Sequence, residues 1–310
     1  MLIAELNKTR RLGCEWEFSL PQITSADSSD VRRVFAEILT ANGLPAVARG
    51  YSHAPVPPGI DLCIEYDASV VGPSDIRGLK WATVEMKTRI LTGMDDWERV
   101  VPKALAIARY LGGRVHASCG HHVHVELAEV RQDPTVIRSL VNVVQRYESI
   151  IHGLLAPSRR NNSYAQKLPV KTGIAAKCGT LDQFRQALGS IPRNSGVNLT
   201  HLWSNDGPRV EYRWHQGTLD DAKARHWARF LLRLTDHAAQ RSCKTASEQL
   251  PNDRLNLNRM LTTIGLRINS RVYAKVAPEL RETGRFLLKR WKSFNSPATE
   301  GASSTGEGDN

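Results

Sequence analysis

The fold is decided by stretches such as Gly120-His121-His122-Val123-His124-Val125, in which imidazole and aliphatic side chains alternate. Residues two apart in a β-strand share a face, so His122 and His124 point away from Val123 and Val125. The same period occurs in Gly13-Cys14-Glu15-Trp16-Glu17-Phe18 and in Val210-Glu211-Tyr212-Arg213-Trp214-His215. Together the three stretches predict a sheet with one apolar face and one polar face.

The predicted polar face carries a specific set of groups. Glu15 and Glu17 share one face of their strand, and Glu211, Arg213 and His215 share one face of theirs. Carboxylates are the ligands that hard cations such as Mg²⁺ prefer, and a guanidinium pairs well with phosphate. The pattern therefore indicates a site for divalent cations and a phosphate group.

The rest of the chain reads as strands alternating with helices, in the order β-α-β-β-α-β-α-α-β-β-α. This order predicts an α+β fold with a mostly antiparallel sheet backed by helices. The first strand is expected over 12–18, ending before Pro21, and further strands over 61–67 and 81–90. A hairpin is expected from 197–203 and 209–214, with its turn at Asn205-Asp206-Gly207. Residues 158–177 read as a long basic loop, either functional or disordered.

Composition sets the class of protein. Hydrophobic residues make up 41% of the 310 residues, enough for a sizeable core. No stretch approaches the roughly 20 apolar residues of a membrane span, and Met1 to Arg11 lacks an apolar signal-peptide core. We therefore expect a cytoplasmic protein without membrane contact. The five cysteines show no CxxC spacing, which argues against a disulfide framework or a cysteine zinc site.

The chain is basic, with 42 Lys and Arg against 31 Asp and Glu, a formal net charge of +11. Three of those acids and none of the bases lie in 296–310, so the rest of the chain carries +14 from 42 minus 28. A positive charge of this size favours binding to nucleic acid, to an acidic surface or to a polyanionic substrate. It also fits a basic enzyme that binds ATP. The sequence contains no nucleic-acid-binding motif.

Each motif also has a plain structural interpretation. A Glu-x-Glu strand is usually a solvated face, and Lys87 and Arg89 share a face with Glu85, so that simple salt pairing would explain that strand. Arg159 and Arg160 lie in the polar loop, where arginines are usually solvated. Three histidines within four residues favour function, although they fit a zinc hydrolase as well.

Taken in order, these segments resemble the amidoligase family of carboxylate–amine ligases. The resemblance rests on Gly13-x-Glu15-x-Glu17, Asp67-x-Ser69, Glu85, Cys119-Gly120-x-His122-Val123-His124-Val125, Ser158-Arg159, Tyr164, Val197-Asn198-Leu199 and Glu211-x-Arg213-x-His215-x-Gly217-Thr218-Leu219-Asp220. It extends from about residue 12 to residue 235. One departure is Met86-Lys87-Thr88, where the family commonly shows Ser-Pro. Another is Tyr212, which stands in place of Phe.

The resemblance implies a fold related to glutamine synthetase and glutamate–cysteine ligase, with a concave sheet face lined by metal ions and nucleotide. Residues 1–295 are expected to form one catalytic domain with 253–295 as a helical extension, and the Ser/Gly/Thr-rich composition of 296–310 predicts a disordered tail. The resemblance further implies ATP and two or three Mg²⁺ or Mn²⁺ ions. The implied metal ligands are Glu15, Glu17, Asp67, Glu85, His122 and Glu211.

By the same resemblance, His124, Arg213 and Asn198 would contact the nucleotide, and Arg213, His215 and Arg159 would be catalytic. The reaction would join a small-molecule or peptide amine to a carboxylate through an acyl phosphate. No Gly-rich Walker loop is present, which fits ATP held through metal ions. A zinc hydrolase and a basic nucleic-acid-binding protein remain open as alternatives at this point, as does the oligomeric state.

Overall fold

The structure is a computed structural model that describes residues 5–22, 27–52, 54–73, 78–204, 207–240, 248–266 and 276–296. The strands are β1 (Arg11–Gln22), β2 (Ala46–Ala48), β3 (Leu62–Glu65), β4 (Lys80–Thr88), β5 (Leu91–Thr92), β6 (Gly120–Glu126), β7 (Val197–Asn198) and β8 (Arg209–Gln216). The helices are α1 (Ser28–Ala41), α2 (Gly93–Tyr110), α3 (Thr135–Gly153), α4 (Pro157–Arg160), α5 (Leu181–Leu188), α6 (Asp221–Gln240), α7 (Arg254–Thr263) and α8 (Pro278–Asn295). The expected turn at Asn205 and Asp206 and the expected tail from 297 onward lie outside the described residues.

All eight strands belong to one sheet, whose order is β2-β3-β4-β1-β6-β8-β7, with β5 paired to β1. The pairing of β2 with β3 is parallel, and the other pairs are antiparallel. The predicted α+β fold with a mostly antiparallel sheet is therefore confirmed. Strand β1 lies at the centre, between β4 and β6, so its two glutamates stand in the middle of the polar face.

The apolar face of the sheet packs against helices. Trp16 of β1 meets Trp97 of α2 edge-on, with ring centroids 5.7 Å apart, and Phe18 meets Phe35 of α1 at 5.9 Å. All four rings are buried. Burying such rings is among the largest favourable contributions to folding, and edge-to-face pairs add to it. The strict alternation along β1 thus fixes which face is core and which is cleft.

Strand β1 is longer than the sequence predicted, because it continues through Pro21 to Gln22. Proline has no amide hydrogen and usually ends a central strand. Here the ladder between β1 and β6 ends at Trp16, whereas the ladder with β4 runs on to Gln22. Beyond Trp16 the other side of the strand carries, in the described part of the chain, only an isolated bridge from Ser19 to Arg114, so no continuous ladder there needs the amide that Pro21 lacks.

Helices α6, α7 and α8 all pack against α3. Helices α7 and α8 lie within the stretch 253–295, for which a helical extension was expected, and the boundaries of the predicted domain stay a prediction. Within the described residues, no helix is both long and apolar enough to cross a bilayer.

Candidate functional site

The polar face of the sheet forms the floor of an open cleft with a volume of about 1260 Å³. Ten of the eleven site residues predicted from the sequence line this cleft: Glu15, Glu17, Asp67, Glu85, His122, His124, Arg159, Asn198, Glu211 and Arg213. Residues more than 190 positions apart in the chain thus share one surface. The eleventh, His215, lies elsewhere.

Strand register explains how the floor assembles. Glu17 stands opposite Glu85 across the β1–β4 ladder, and Glu15 stands opposite His122 across the β1–β6 ladder. Glu211 stands opposite His124 on one side and Asn198 on the other. Directly opposed residues in antiparallel strands have Cβ atoms about 5 Å apart. The floor therefore has carboxylates and imidazoles at contact distance.

Asp67 reaches the floor by a different route. The sequence predicted it on a strand, and that prediction is wrong, because β3 ends at Glu65. Its carboxylate accepts a hydrogen bond from the amide of Ser69 at 2.6 Å, an Asx turn that bends the chain away from the sheet. The turn still brings Asp67 to Glu17 and Glu85.

The potential ligands fall into three groups, in each of which the ligand atoms lie within 4.8 Å of one another. We name Glu17, Asp67 and Glu85 the first cluster, Glu15, His122 and Glu211 the second cluster, and His124, His201 and Glu211 the third cluster. Glu211 belongs to the second and third clusters. Its two carboxylate oxygens lie 3.7 Å from His122 Nδ1 and 3.6 Å from His201 Nε2.

His201 is the site residue that the sequence prediction missed. The predicted strand over 197–203 stops after two residues, and Thr200–Trp203 form a 3-10 turn. Asn198 Oδ1 accepts from the amide and hydroxyl of Thr200 at 3.0 and 2.7 Å, which starts the turn. One such turn returns residue i+3 beside residue i, so the spacing Asn198-x-x-His201 was the available signal.

Asn198 and Arg213 hold the Glu211 carboxylate. Asn198 Nδ2 donates to one carboxylate oxygen at 2.7 Å, and Arg213 Nη1 donates to the other. Burial alone would raise the pKa of Glu211, but the His124 ring, the hydrogen bond with His201 and the Arg213 guanidinium hold that pKa well below its usual range. Asn198, expected to contact nucleotide, is therefore placed to orient a carboxylate.

Arg159 is the most deeply buried arginine of the cleft. It is 1% exposed, its Nη2 donates to the backbone oxygen of Arg213 at 2.7 Å, and its Nε has no hydrogen-bond partner among the described residues. Burial lowers the pKa of Arg159 to about 10, although the neighbouring Glu17 partly opposes the shift. An arginine with a spare buried donor is suited to bind an anion, and it is not the solvated loop residue of the alternative interpretation.

Lys87 closes the acidic floor on the β3 side. Its Nζ lies 2.9 Å from Glu85 and 3.0 Å from the fully buried Glu65, and it donates to Ser52 O at 3.2 Å. Glu65 also binds Arg49 Nε at 2.6 Å, and Arg49 in turn binds the backbone oxygens of residues 54 and 55. This buried network ties the proline-rich segment 54–60, which lines one wall, to the floor. The salt pairing considered for this strand therefore coexists with the first cluster.

The pKa values on the floor reflect crowding of like charges. Burial, followed by repulsion from Glu15, raises the pKa of Glu85 to about 8. Burial alone would also raise the pKa of Glu15, but the imidazoles of His124 and His122 hold it well below its usual range. Carboxylates brought this close disfavour each other's charged form, and a cation between them relieves that cost.

A test of fit for such a cation is whether ligand atoms lack other partners. Both ring nitrogens of His124 are buried, and neither makes a hydrogen bond among the described residues, although Nε2 lies 3.4 Å from Glu15 Oε1. Buried polar groups are almost always hydrogen-bonded, so an imidazole left this way is suited to coordinate a metal. The mainly oxygen donors of the first cluster suit Mg²⁺ or Mn²⁺.

His215 does not line the cleft. It was predicted to share a face with Glu211 and Arg213, and that prediction is wrong beyond Arg213. In the β6–β8 ladder Val123 pairs with Tyr212 but His121 pairs with His215, so β8 contains one extra residue, a β-bulge. The bulge turns His215 into the core, where it is fully buried with its ring 4.9 Å from that of Trp227. Burial holds the pKa of His215 well below its usual range, so the ring is neutral there.

Gly120 gives a direct test of the floor. A Cβ at this position would lie 2.6 Å from His122 Nε2, 3.2 Å from Glu17 Oε2 and 3.3 Å from Arg159 Nη2. The Gly120 amide also donates to Glu17 Oε2 at 2.6 Å. We expect Gly120→Ala to displace His122 and Glu17 and to weaken Mn²⁺ binding roughly 10-fold or more, measured by calorimetry.

The control for this prediction is Gly50→Ala, whose Cβ would meet nothing within 4 Å. Thermal unfolding of both variants shows whether the fold is retained. Unchanged Mn²⁺ affinity in a folded Gly120→Ala protein would contradict the placement of His122 and Glu17 in metal-binding clusters.

Comparison with known proteins agrees with this geometry. No curated protein matches the chain. Among protein families, residues 8–235 match the family described as "Putative amidoligase enzyme". The match includes every strand of the sheet and all three clusters. Because it spans well over half of the 310 residues, the chain belongs to this amidoligase family, which places it among enzymes that form amide bonds.

Proposed function

We propose that the protein is an ATP-dependent carboxylate–amine ligase that forms an amide bond through an acyl phosphate. The observation that carries the proposal is the position of three adjacent ligand clusters in the same cleft as two buried or half-buried arginines, Arg159 and Arg213. A zinc hydrolase works with one or two metal ions, whereas phosphoryl transfer between two anions benefits from several cations side by side together with arginines that bind the phosphoryl group.

The chemistry requires activation of a poor electrophile. A carboxylate oxygen attacks the γ-phosphorus of ATP, the bond from that phosphorus to the β,γ-bridging oxygen breaks, and ADP leaves. The amine nitrogen then attacks the carbonyl carbon of the acyl phosphate. The carbon–oxygen bond breaks, inorganic phosphate leaves, and the amine gives up a proton. Two anions must approach each other in the first step, so positioning and charge neutralisation decide the rate.

The three clusters would hold two or three Mg²⁺ or Mn²⁺ ions. Glu17, Asp67 and Glu85 would hold one ion, and Glu15, His122 and Glu211 a second. His124 and His201 with Glu211 would hold a third. Such ions neutralise the phosphate oxygens and orient the triphosphate when they are bound.

The chain's own cations do the remaining work on the phosphoryl group. Arg213 is half-buried, and its Nη1 is paired with Glu211, so its guanidinium is held at the floor with donors to spare. Arg159 is bonded to the Arg213 backbone through its Nη2, and its Nε has no partner in the part of the chain that the structure describes. A planar fork fixed in this way binds phosphate or carboxylate oxygens in a defined orientation. Asn198 keeps the Glu211 carboxylate in place for both neighbouring clusters.

The size of the cleft agrees with a reaction of several substrates. Pockets for a single drug-sized ligand usually measure about 300–1,000 Å³. The cleft, at about 1260 Å³, exceeds that range and is open on one side. It therefore has room for a nucleotide together with a second substrate.

The test of the proposed function is Mg²⁺-dependent release of ADP and phosphate across a panel of amines and carboxylates. We expect release that requires both an amine and a carboxylate and that stops when Mg²⁺ is removed with a chelator. Calorimetry with Mn²⁺ and a non-hydrolysable ATP analogue gives a second readout that needs no substrate. Failure to bind the nucleotide in the presence of Mg²⁺ or Mn²⁺ would rule out the ligase, and hydrolysis that needs zinc but no ATP would replace it with a hydrolase.

A further inference from the structure

The segment between α3 and β7 is strongly basic. Residues 157–195 contain a single acid, Asp182, and seven bases: Arg159, Arg160, Lys167, Lys171, Lys177, Arg185 and Arg193. We call these residues the basic segment. Its net charge of +6, from seven bases and one acid, is more than half of the +11 of the whole chain.

The two ends of the basic segment form one wall of the cleft, which Arg159, Tyr164, Arg193 and Asn194 line directly. This wall is fastened to the sheet, since Arg213 Nε donates to Tyr164 O at 3.3 Å. The middle of the segment does not line the cleft and packs on α3.

Hydrogen bonds to α3 hold the middle of the basic segment. Leu168 N donates to the buried Glu148 carboxylate at 2.6 Å, and Gln145 Nε2 donates to Val170 O at 3.0 Å. Arg138 Nε donates to Ala175 O at 3.1 Å. The long loop expected from the sequence is thus held to the sheet and to α3.

Most of the charge of the basic segment is exposed to solvent and lies outside the lining of the cleft. Lys171, Lys177, Arg185 and Arg193 all have exposed side chains, in contrast to Arg159 at the floor. Of these four, only Arg193 lines the cleft itself. A nucleotide with a small carboxylate would use the floor and would leave the outer bases unengaged. A concentration of exposed like charge costs stability, and it attracts a ligand that carries many opposite charges.

The chemistry of the reaction selects the kind of polyanion. Amide formation needs a carboxylate on one substrate, and the phosphodiester backbone of a nucleic acid has none. A peptide rich in Asp or Glu supplies the reacting carboxylate and the negative charges together. Three exposed tyrosines also line the cleft, Tyr51, Tyr66 and Tyr164, at 56%, 42% and 49% exposure. Exposed aromatic rings are the usual contacts of a bound polypeptide.

We propose that the carboxylate substrate is an acidic peptide that lies along the basic segment and presents one of its carboxylates to the floor of the cleft. The proposal rests on the proposed ligase function for the role of that carboxylate, and the peptide-binding surface is testable apart from it. The contacts are electrostatic and exposed, so binding weakens as salt screens them.

The experiment measures binding of a fluorescent oligo-glutamate peptide by anisotropy, without ATP, to three forms of the full chain. The test variant is Lys171→Glu with Lys177→Glu, and the control is Lys80→Glu with Lys103→Glu, two exposed lysines on β4 and α2. Both double variants change the net charge by the same amount. We expect the test variant to bind about tenfold more weakly at low salt, and the control to bind like the unmodified chain.

Equal loss in both variants would overturn the proposal, because general charge would then explain the binding. An oligonucleotide of equal charge that binds as tightly as the peptide, or more tightly, would also overturn it. Should the test variant unfold, Lys171→Gln with Lys177→Gln replaces it, and an unweakened affinity there counts against the proposal. If the peptide binds but ATP is not turned over, the peptide-binding surface is supported and the ligase function is refuted. If ATP is turned over with free carboxylates but the peptide does not bind, the ligase function is supported and the peptide-binding surface is refuted.

Discussion

Glu211→Ala is expected to reduce ATP-dependent turnover by roughly a thousandfold or more while the protein stays folded. Glu211 belongs to two of the three clusters, so one substitution removes a ligand from both. It also leaves Arg213 without the carboxylate that holds its Nη1. Most other floor residues serve a single cluster, and for that reason we expect Glu211 to have the largest effect on activity.

The measurement is phosphate release under saturating Mg²⁺, with Mn²⁺ stoichiometry by calorimetry as a readout independent of activity. Glu211→Gln separates charge from shape, because the amide keeps the volume and loses the negative charge. The control is Glu98→Ala, which removes a half-exposed carboxylate paired with Arg225 outside the cleft. Normal turnover and unchanged Mn²⁺ stoichiometry in Glu211→Ala would refute the assignment of the second and third clusters.

Asp236→Ala is expected to lower the free energy of unfolding by about 3–5 kcal/mol, the usual cost of removing one partner of a buried ion pair. Asp236 is fully buried on α6 and accepts a hydrogen bond from Arg10 Nε at 2.5 Å. A second arginine, Arg233, lies 3.5 Å away. Arg10 is itself only 5% exposed, so the substitution leaves this buried cation without one of its carboxylate partners at the start of the sheet.

Urea unfolding followed by circular dichroism checks this expectation at neutral pH. The control is Glu37→Ala, which breaks the exposed pair with Arg33 on α1 and should leave the free energy of unfolding nearly unchanged. Arg10 has further partners in Glu129 and the backbone of residue 126, which moderate the loss. A loss below about 1 kcal/mol for Asp236→Ala would contradict the idea that this pair stabilises the junction of β1 with α6.

Alternation in the sequence was enough to predict the sheet and most of the floor. Side chains two apart share a strand face wherever the ladder is regular, which is why Glu15, Glu17, His122 and His124 lie where the period places them. The central pairing of β1 with β4 and β6 could not be read from the period, since spacing does not show which strands are neighbours. It is the register of those pairings that brings the carboxylates together.

The failures of sequence prediction occur where the backbone departs from a regular strand. A bulge in β8 turned His215 to the core, an Asx turn carried Asp67 beyond β3, and a 3-10 turn brought His201 to Glu211. The bulge depends on the pairing of β8 with β6, which local composition does not encode. The two turns are started by local bonds, in which the side chains of Asp67 and Asn198 accept from residues two positions on, and a period of two does not detect them. Two of the three irregularities add a ligand to the cleft.

The buried network of Arg49, Glu65 and Lys87 has a consequence for how the protein responds to ionic strength. Salt screens charges that face water far more than charges inside the protein. The proline-rich wall is held by the buried carboxylate of Glu65, whereas the basic segment presents most of its bases to solvent. Changing the salt concentration should therefore alter the attraction of charged ligands to the cleft while the shape of the floor stays constant. The strength with which the cleft attracts charged ligands and the geometry of its floor can therefore vary independently of each other.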